Sequence, residues 1–106
     1  MKKAALLLAP GFEEIEALTV VDVLRRAGLV CHMIGFDESV TGSHAITVKA
    51  DQVWKSRLDD YDMVILPGGM PGSANLRDDD RLMKLLQDFQ QADKFIAAIC
   101  AAPIAL

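Results

Sequence analysis

The sequence predicts an α/β fold: a doubly wound, mostly parallel sheet with helices on both faces. Three observations carry this expectation. Short, continuous apolar runs alternate with amphipathic segments of helical period. The runs lack polar alternation, as strands covered on both faces do. Two of them end abruptly, at Pro10-Gly11 and at Pro67-Gly68-Gly69, where a strand would leave the sheet.

In chain order, residues 4–9 (Ala-Ala-Leu-Leu-Leu-Ala) form the first expected strand. Residues 13–27 then read as a helix, with Ala17, Val20, Val21, Leu24 and Ala27 on one stripe. Acids fill its first turn and Arg25-Arg26 its last, matching the helix dipole, and Gly28 is a natural stop. Residues 29–36 form a second strand, and residues 42–48 alternate weakly, as a small antiparallel arm would. A third strand covers residues 63–66. Residues 78–91 form a second helix, with Leu82, Leu85, Leu86 and Phe89 on its stripe. Residues 95–99 make a further short buried strand, and residues 101–106 open a helix that tolerates Pro103 in its first turn.

Composition narrows the function classes. With 106 residues the chain fits one domain, and 52% hydrophobic content is too rich for a disordered tail. The 11 basic residues against 15 acidic ones leave 11 − 15 = −4, without a basic cluster, so nucleic acid is not an expected partner. The longest charge-free run, residues 63–76, is broken by Pro67, Gly68 and Gly69, so no membrane span is expected. Two cysteines, Cys31 and Cys100, make no disulfide framework, which favours a reducing, cytoplasmic setting.

In an open parallel sheet, chemistry gathers outside the carboxyl ends of the strands. Three such ends carry the unusual residues: Pro10-Gly11-Phe12-Glu13-Glu14-Ile15-Glu16, Pro67-Gly68-Gly69-Met70-Pro71-Gly72, and Cys100. Ala98-Ile99-Cys100-Ala101-Ala102 has small residues on either side of the cysteine. That is the steric logic of a nucleophile elbow, and a helix N-terminus there would favour thiolate. The alternative is a small buried hydrophobe, which is the better reading for mid-strand Cys31. Gly68 and Gly69 could expose backbone N–H groups to an oxyanion, together with that of Ala101, or could simply form a tight turn. Glu13 and Glu16, three apart, share a helix face while Glu14 points elsewhere. They are either solvated acids at a helix start or, if buried, carboxyls able to hold a proton near a thiolate.

The acidic stretches at residues 59–62 and 77–81 lack calcium-loop spacing and read as a turn and a helix start, so no metal site is expected. His32 and His44 fall away from the three strand ends, and neither makes a convincing catalytic base.

Ala9-Pro10-Gly11-Phe12-Glu13-Glu14-Ile15-Glu16, Leu66-Pro67-Gly68-Gly69 and Ala97-Ala98-Ile99-Cys100-Ala101-Ala102-Pro103, in this order, resemble the ThiJ/PfpI family. The likeness is strongest to its branch around the parkinsonism-associated protein deglycase, and it spans nearly the whole chain. It implies a flavodoxin-like fold, generally dimeric. It further implies that Cys100 is a reactive, oxidation-sensitive cysteine and that Glu16 is the protonated carboxyl beside it. Glu13 and Gly68 would lie at the same pocket, with Gly69 and Ala101 offering N–H groups to the oxyanion. Implied activities are cofactor-independent glyoxalase, repair of glyoxal-modified proteins or nucleotides, and chaperoning under oxidative stress. Ala101 stands where the family's protease-like branch has histidine, which argues against peptidase chemistry. Ala98 and Ala102 stand where class I glutamine amidotransferases want glycine.

Two function classes follow. In the first, Cys100 attacks a small dicarbonyl or a glycated substrate and Glu16 shuttles the proton. In the second, Cys100 is a sensor oxidised to sulfinate. Family members are longer, and their pocket histidine lies downstream of the elbow. Residues 1–106 are therefore expected to be the N-terminal part of a single domain. Either a homodimer forms, or a companion chain supplies the C-terminal half.

Overall fold

The computed structural model describes residues 2–55 and 58–99. Cys100, Ala101 and the helix expected over residues 101–106 lie outside the described residues. Strand β1 (Lys3–Leu8) leads through helix α1 (Glu14–Arg26) to β2 (Val30–Gly35). A hairpin of β3 (Ser39–Thr41) and β4 (Thr47–Lys49) follows, then the short β5 (Gln52–Val53). Next come β6 (Met63–Leu66), α2 (Gly72–Arg77), α3 (Asp80–Gln91) and β7 (Phe95–Ala98).

Among the described residues the main sheet runs β5-β2-β1-β6-β7 with every pairing parallel, and the hairpin stands apart as an antiparallel pair. β1 is central: Leu6 lies opposite Met33 on one side and Ile65 on the other. Its side chains divide between two cores. Ala5 and Leu7, with Ala9 just past the strand, join Ile34, Val64 and Leu66 beneath α3, whose Leu82, Leu85 and Phe89 are buried there. Ala4, Leu6 and Leu8 join Ala17 and Val21 of α1 and Val40 of the hairpin on the opposite face. Covering both faces removes the polar alternation, and this is why β1 reads as an unbroken apolar run. The doubly wound expectation holds.

Several expectations need correction. Glu13 is the N-cap of α1 and not its first residue; its extended backbone lets the side chain accept the N–H of Ile15 at 2.8 Å. Ala27, expected on the apolar stripe, is the exposed C-cap. The helix over residues 78–91 begins at Asp80, because Asp79 caps it through the N–H of Arg81. A separate short helix, α2, precedes it. Strand β7 is half-buried where full burial was expected, and Phe95 is 64% exposed, since β6 is its one neighbour among the described residues.

The chain reverses its winding direction between β1 and β6, and their carboxyl ends open side by side at this switch point. The loops leaving them lock backbone to backbone. Glu13 donates its N–H to the Gly68 carbonyl at 2.9 Å, and Gly72 donates to the Gly11 carbonyl at 3.1 Å. The Asn75 amide reaches across to the Pro10 carbonyl at 2.7 Å. Contact this close leaves no room for side chains. A Cβ on Gly69 would collide with the Glu13 amide nitrogen, and one on Gly11 would lie 2.5 Å from Pro71 Cδ. Gly69 also has φ of +98°, in the region that only glycine enters freely.

Gly28 supplies an internal control. It has φ of +83°, but a Cβ there would meet nothing within 4 Å. Gly28→Ala should therefore cost only backbone strain, about 1 kcal/mol. Gly69→Ala adds a clash with backbone that cannot rotate away, and should cost more than about 2 kcal/mol. Urea denaturation of both variants checks this, and equal losses would contradict the interlock.

Candidate functional site

The carboxyl ends of β1, β6 and β7 lie next to one another in the sheet. The last described residue, Ile99, still follows the ladder, donating its N–H to the Leu66 carbonyl at 3.1 Å. Two of the three expected strand-end segments thus meet directly through the interlocked loops, and the third runs up beside them as far as Ile99.

Glu16 lies in the first turn of α1 and is half-buried. Its Oε1 is closed off from solvent and has no hydrogen-bond partner among the described residues. A carboxylate oxygen in that state costs free energy unless something else satisfies it, so Glu16 is conspicuous among the acids of this turn. Gly68 is buried and gives its carbonyl to Glu13, while Gly69 accepts the N–H of Ser73 at 2.9 Å and starts the turn into α2. The Met70–Pro71 peptide between them is cis. Ser73 is fully buried, and its hydroxyl has no partner among the described residues. Cys31 is 2% exposed, and burial pushes its thiol pKa up, which fits packing and not reactivity.

The acid that the structure buries most completely is Glu14, at 3% exposure, although sequence spacing points to Glu13 and Glu16. Its carboxylate turns into the hairpin tip. Oε2 accepts the N–H of His44 at 2.8 Å and of Ile46 at 3.3 Å, while Oε1 lies 3.1 Å from His44 Nδ1. Further bonds pin the same tip to the loop after β1: Gly11 N–H to the Thr41 carbonyl at 2.9 Å, and Ser43 N–H to the Phe12 carbonyl at 2.8 Å. His44, expected away from the strand ends, is therefore seated against one of them. The signal was hidden because the partners are 30 residues apart and only the hairpin's fold-back joins them. Glu13, Glu14, Ile15, His44 and Ile46 line a cleft of about 250 Å³ here, with Ile15 73% exposed.

Burial alone would raise the Glu14 pKa. Hydrogen bonds from the backbone and from His44 outweigh it and hold the value at about 2, against an ordinary 4.5. A depressed carboxylate pKa contributes stability that is complete above about pH 4.5 and is lost as the pH falls through about 2. Hairpin docking should weaken across that window. Hydrogen exchange at the His44 and Ile46 amides should rise there beyond the intrinsic rate, and Glu14→Gln should flatten the response. Protection that stays constant between pH 4.5 and 2 would contradict this reading of Glu14.

The backbone and sequence match proteins of known family. Residues 2–106 match the model of the DJ-1/PfpI family. The chain is 39% identical over 113 aligned residues to the Parkinson disease protein 7 homolog of Danio rerio, covering 99% of this chain and 58% of that one. Among solved structures, it superposes with a TM-score of 0.93 on a cysteine-to-alanine variant of the DJ-1 superfamily protein STM1931 from Salmonella typhimurium. That pair is 37% identical over 99% of this chain and 58% of the other. The oxidized Toxoplasma gondii DJ-1 gives a TM-score of 0.91 and 37% identity, with coverage of 100% and 59%. The chain thus spans a little under three fifths of the length of these relatives. Sequence and backbone agree: the chain belongs to the DJ-1/PfpI family.

Proposed function

We propose that the protein is a cofactor-independent glyoxalase or deglycase acting on small 2-oxoaldehydes or their protein and nucleotide adducts. The observation that carries this is Glu16, a carboxyl with one oxygen sealed from water and without a partner among the described residues, in the first turn of the helix whose N-cap, Glu13, is bonded to Gly68 after β6. Cys100 follows Ile99 in the chain and is the nucleophile. Its thiolate adds to the aldehyde carbon of methylglyoxal, forming a carbon–sulfur bond, and Glu16 gives its proton to the oxyanion, which leaves Glu16 a carboxylate able to act as the base. Gly69 and Ala101 offer that oxyanion their N–H groups. Glu16 removes the proton from the former aldehyde carbon and a proton is returned to the neighbouring carbon, leaving a thioester of the hydroxy acid. Water cleaves the thioester, releasing lactate and the free thiol, so methylglyoxal plus water gives lactate without an external oxidant. Glu13 and Gly68 support the pocket by fixing the two loops against each other.

A second reading rests on the oxidized form in which the Toxoplasma gondii relative was solved. In it Cys100 is a sensor oxidised to sulfinate, and the protein acts as a stress-responsive chaperone. Both readings take the protein to be a cytoplasmic homodimer. Among the described residues no helix is long and apolar enough to cross a membrane.

Lactate formation from methylglyoxal by the full-length protein separates the two. Cys100→Ser and Glu16→Gln should each lower the rate by at least about a hundredfold, the range of a lost nucleophile or proton shuttle. Rates equal to that of the unsubstituted protein would end the cysteine mechanism. Negligible turnover, with Cys100 oxidised selectively by mild peroxide, would establish the sensor instead.

A further inference from the structure

We infer that Glu13, Glu14 and His44 form a binding site for a divalent transition-metal cation of the zinc type, a site that the proposed cysteine chemistry does not use. One ligand atom from each of the three lies within 4.8 Å of the others. A tetrahedral zinc ion with N and O ligands at about 2.0–2.2 Å sets those ligands about 3.4 Å apart. Glu14 Oε1 and His44 Nδ1 already lie 3.1 Å apart, so two of the three positions are nearly made. From a separation of at most 4.8 Å, Glu13 must close up to about 1.4 Å, and one of its oxygens is committed only to the exposed N–H of Ile15.

The fixed part of the site is the buried one. Glu14 is anchored by two backbone N–H groups on Oε2, which leaves Oε1 to the imidazole and to the Ser43 hydroxyl. That hydroxyl lies 3.5 Å from Oε1 and 3.1 Å from His44 Nδ1, and an ion would displace both contacts. One of those two donors is the amide of His44 itself, so the same bond positions the second ligand. A preset carboxylate–imidazole pair lowers the ordering cost of capturing an ion. Two carboxylates balance the charge of a divalent cation. The mixed nitrogen and oxygen set suits zinc and its neighbours, whereas magnesium and calcium want six or more oxygens. Three protein ligands leave a fourth position, and all three residues line the cleft of about 250 Å³ together with Ile15 and Ile46.

The test is zinc titration by calorimetry, with cobalt as an optical probe, in full-length protein carrying Cys100→Ser so that this thiol cannot ligate. The expected result is one ion per chain and visible cobalt bands of a low-coordinate site. Glu13→Gln and His44→Ala should each weaken binding at least about tenfold. His44→Ala keeps the backbone N–H that holds Glu14, and near-ultraviolet circular dichroism confirms that the fold is intact. Absence of saturable binding once Cys100 is replaced would overturn the inference. So would affinity unchanged in both ligand variants.

Discussion

The contact on which the rest depends is backbone against backbone, where the loops leaving β1 and β6 cross at the switch point of the sheet. Gly11, Gly69 and Gly72 bring the two chains closer than any side chain would allow. Two N–H···O bonds and the Asn75 bridge then hold them. Because β1 and β6 are rigid central strands, locking their loops fixes both the start of α1, with its three acids, and the turn into α2. The short β6-to-α2 turn would otherwise be free to move, and Glu16 would have no defined place relative to Gly68 and Gly69.

A second constraint is electrostatic. Burying the Glu14 carboxylate is unfavourable in itself, yet its hydrogen bonds keep it ionised across the neutral range. Truncating it would strand the His44 and Ile46 amides as well as removing the charge. The hairpin, which lies outside the main sheet, is thereby tied to the helix start that carries Glu13 and Glu16. The same tie builds the cleft lined by Ile15 and Ile46.

Much of this was legible in the sequence, for local reasons. The run over residues 4–9 announces a strand buried on both faces, and Leu6 and Leu7 are indeed fully buried on opposite sides. The stripe of Leu82, Leu85 and Phe89 faces the core as its helical period requires. Gly68, Gly69 and Glu16 were singled out because strand ends are where parallel sheets place chemistry, and the structure puts Gly68 and Gly69 at the end of β6 and Glu16 in the first turn of α1. What escaped was non-local. Glu14 and His44 meet only through the fold-back of a weakly alternating hairpin, and helical spacing judged Glu13 a face residue when it is a cap. The two-residue β5 is too short to leave a pattern, and α2 hides behind Pro71 and Gly72, which read as loop.

On the proposed mechanism, the interlocked strand ends support a cysteine whose reactivity depends on them. The most direct measurement is the pH dependence of alkylation, resolved by mass spectrometry to Cys100 and Cys31, in the full-length protein and in Gly69→Ala. Cys100 should react with an apparent pKa below the ordinary thiol value of about 8.5 while Cys31 stays inert, and Gly69→Ala should move Cys100 back toward that value. A Cys100 that titrates at or above about 8.5 in the unsubstituted protein, or that ignores Gly69→Ala, would contradict that mechanism.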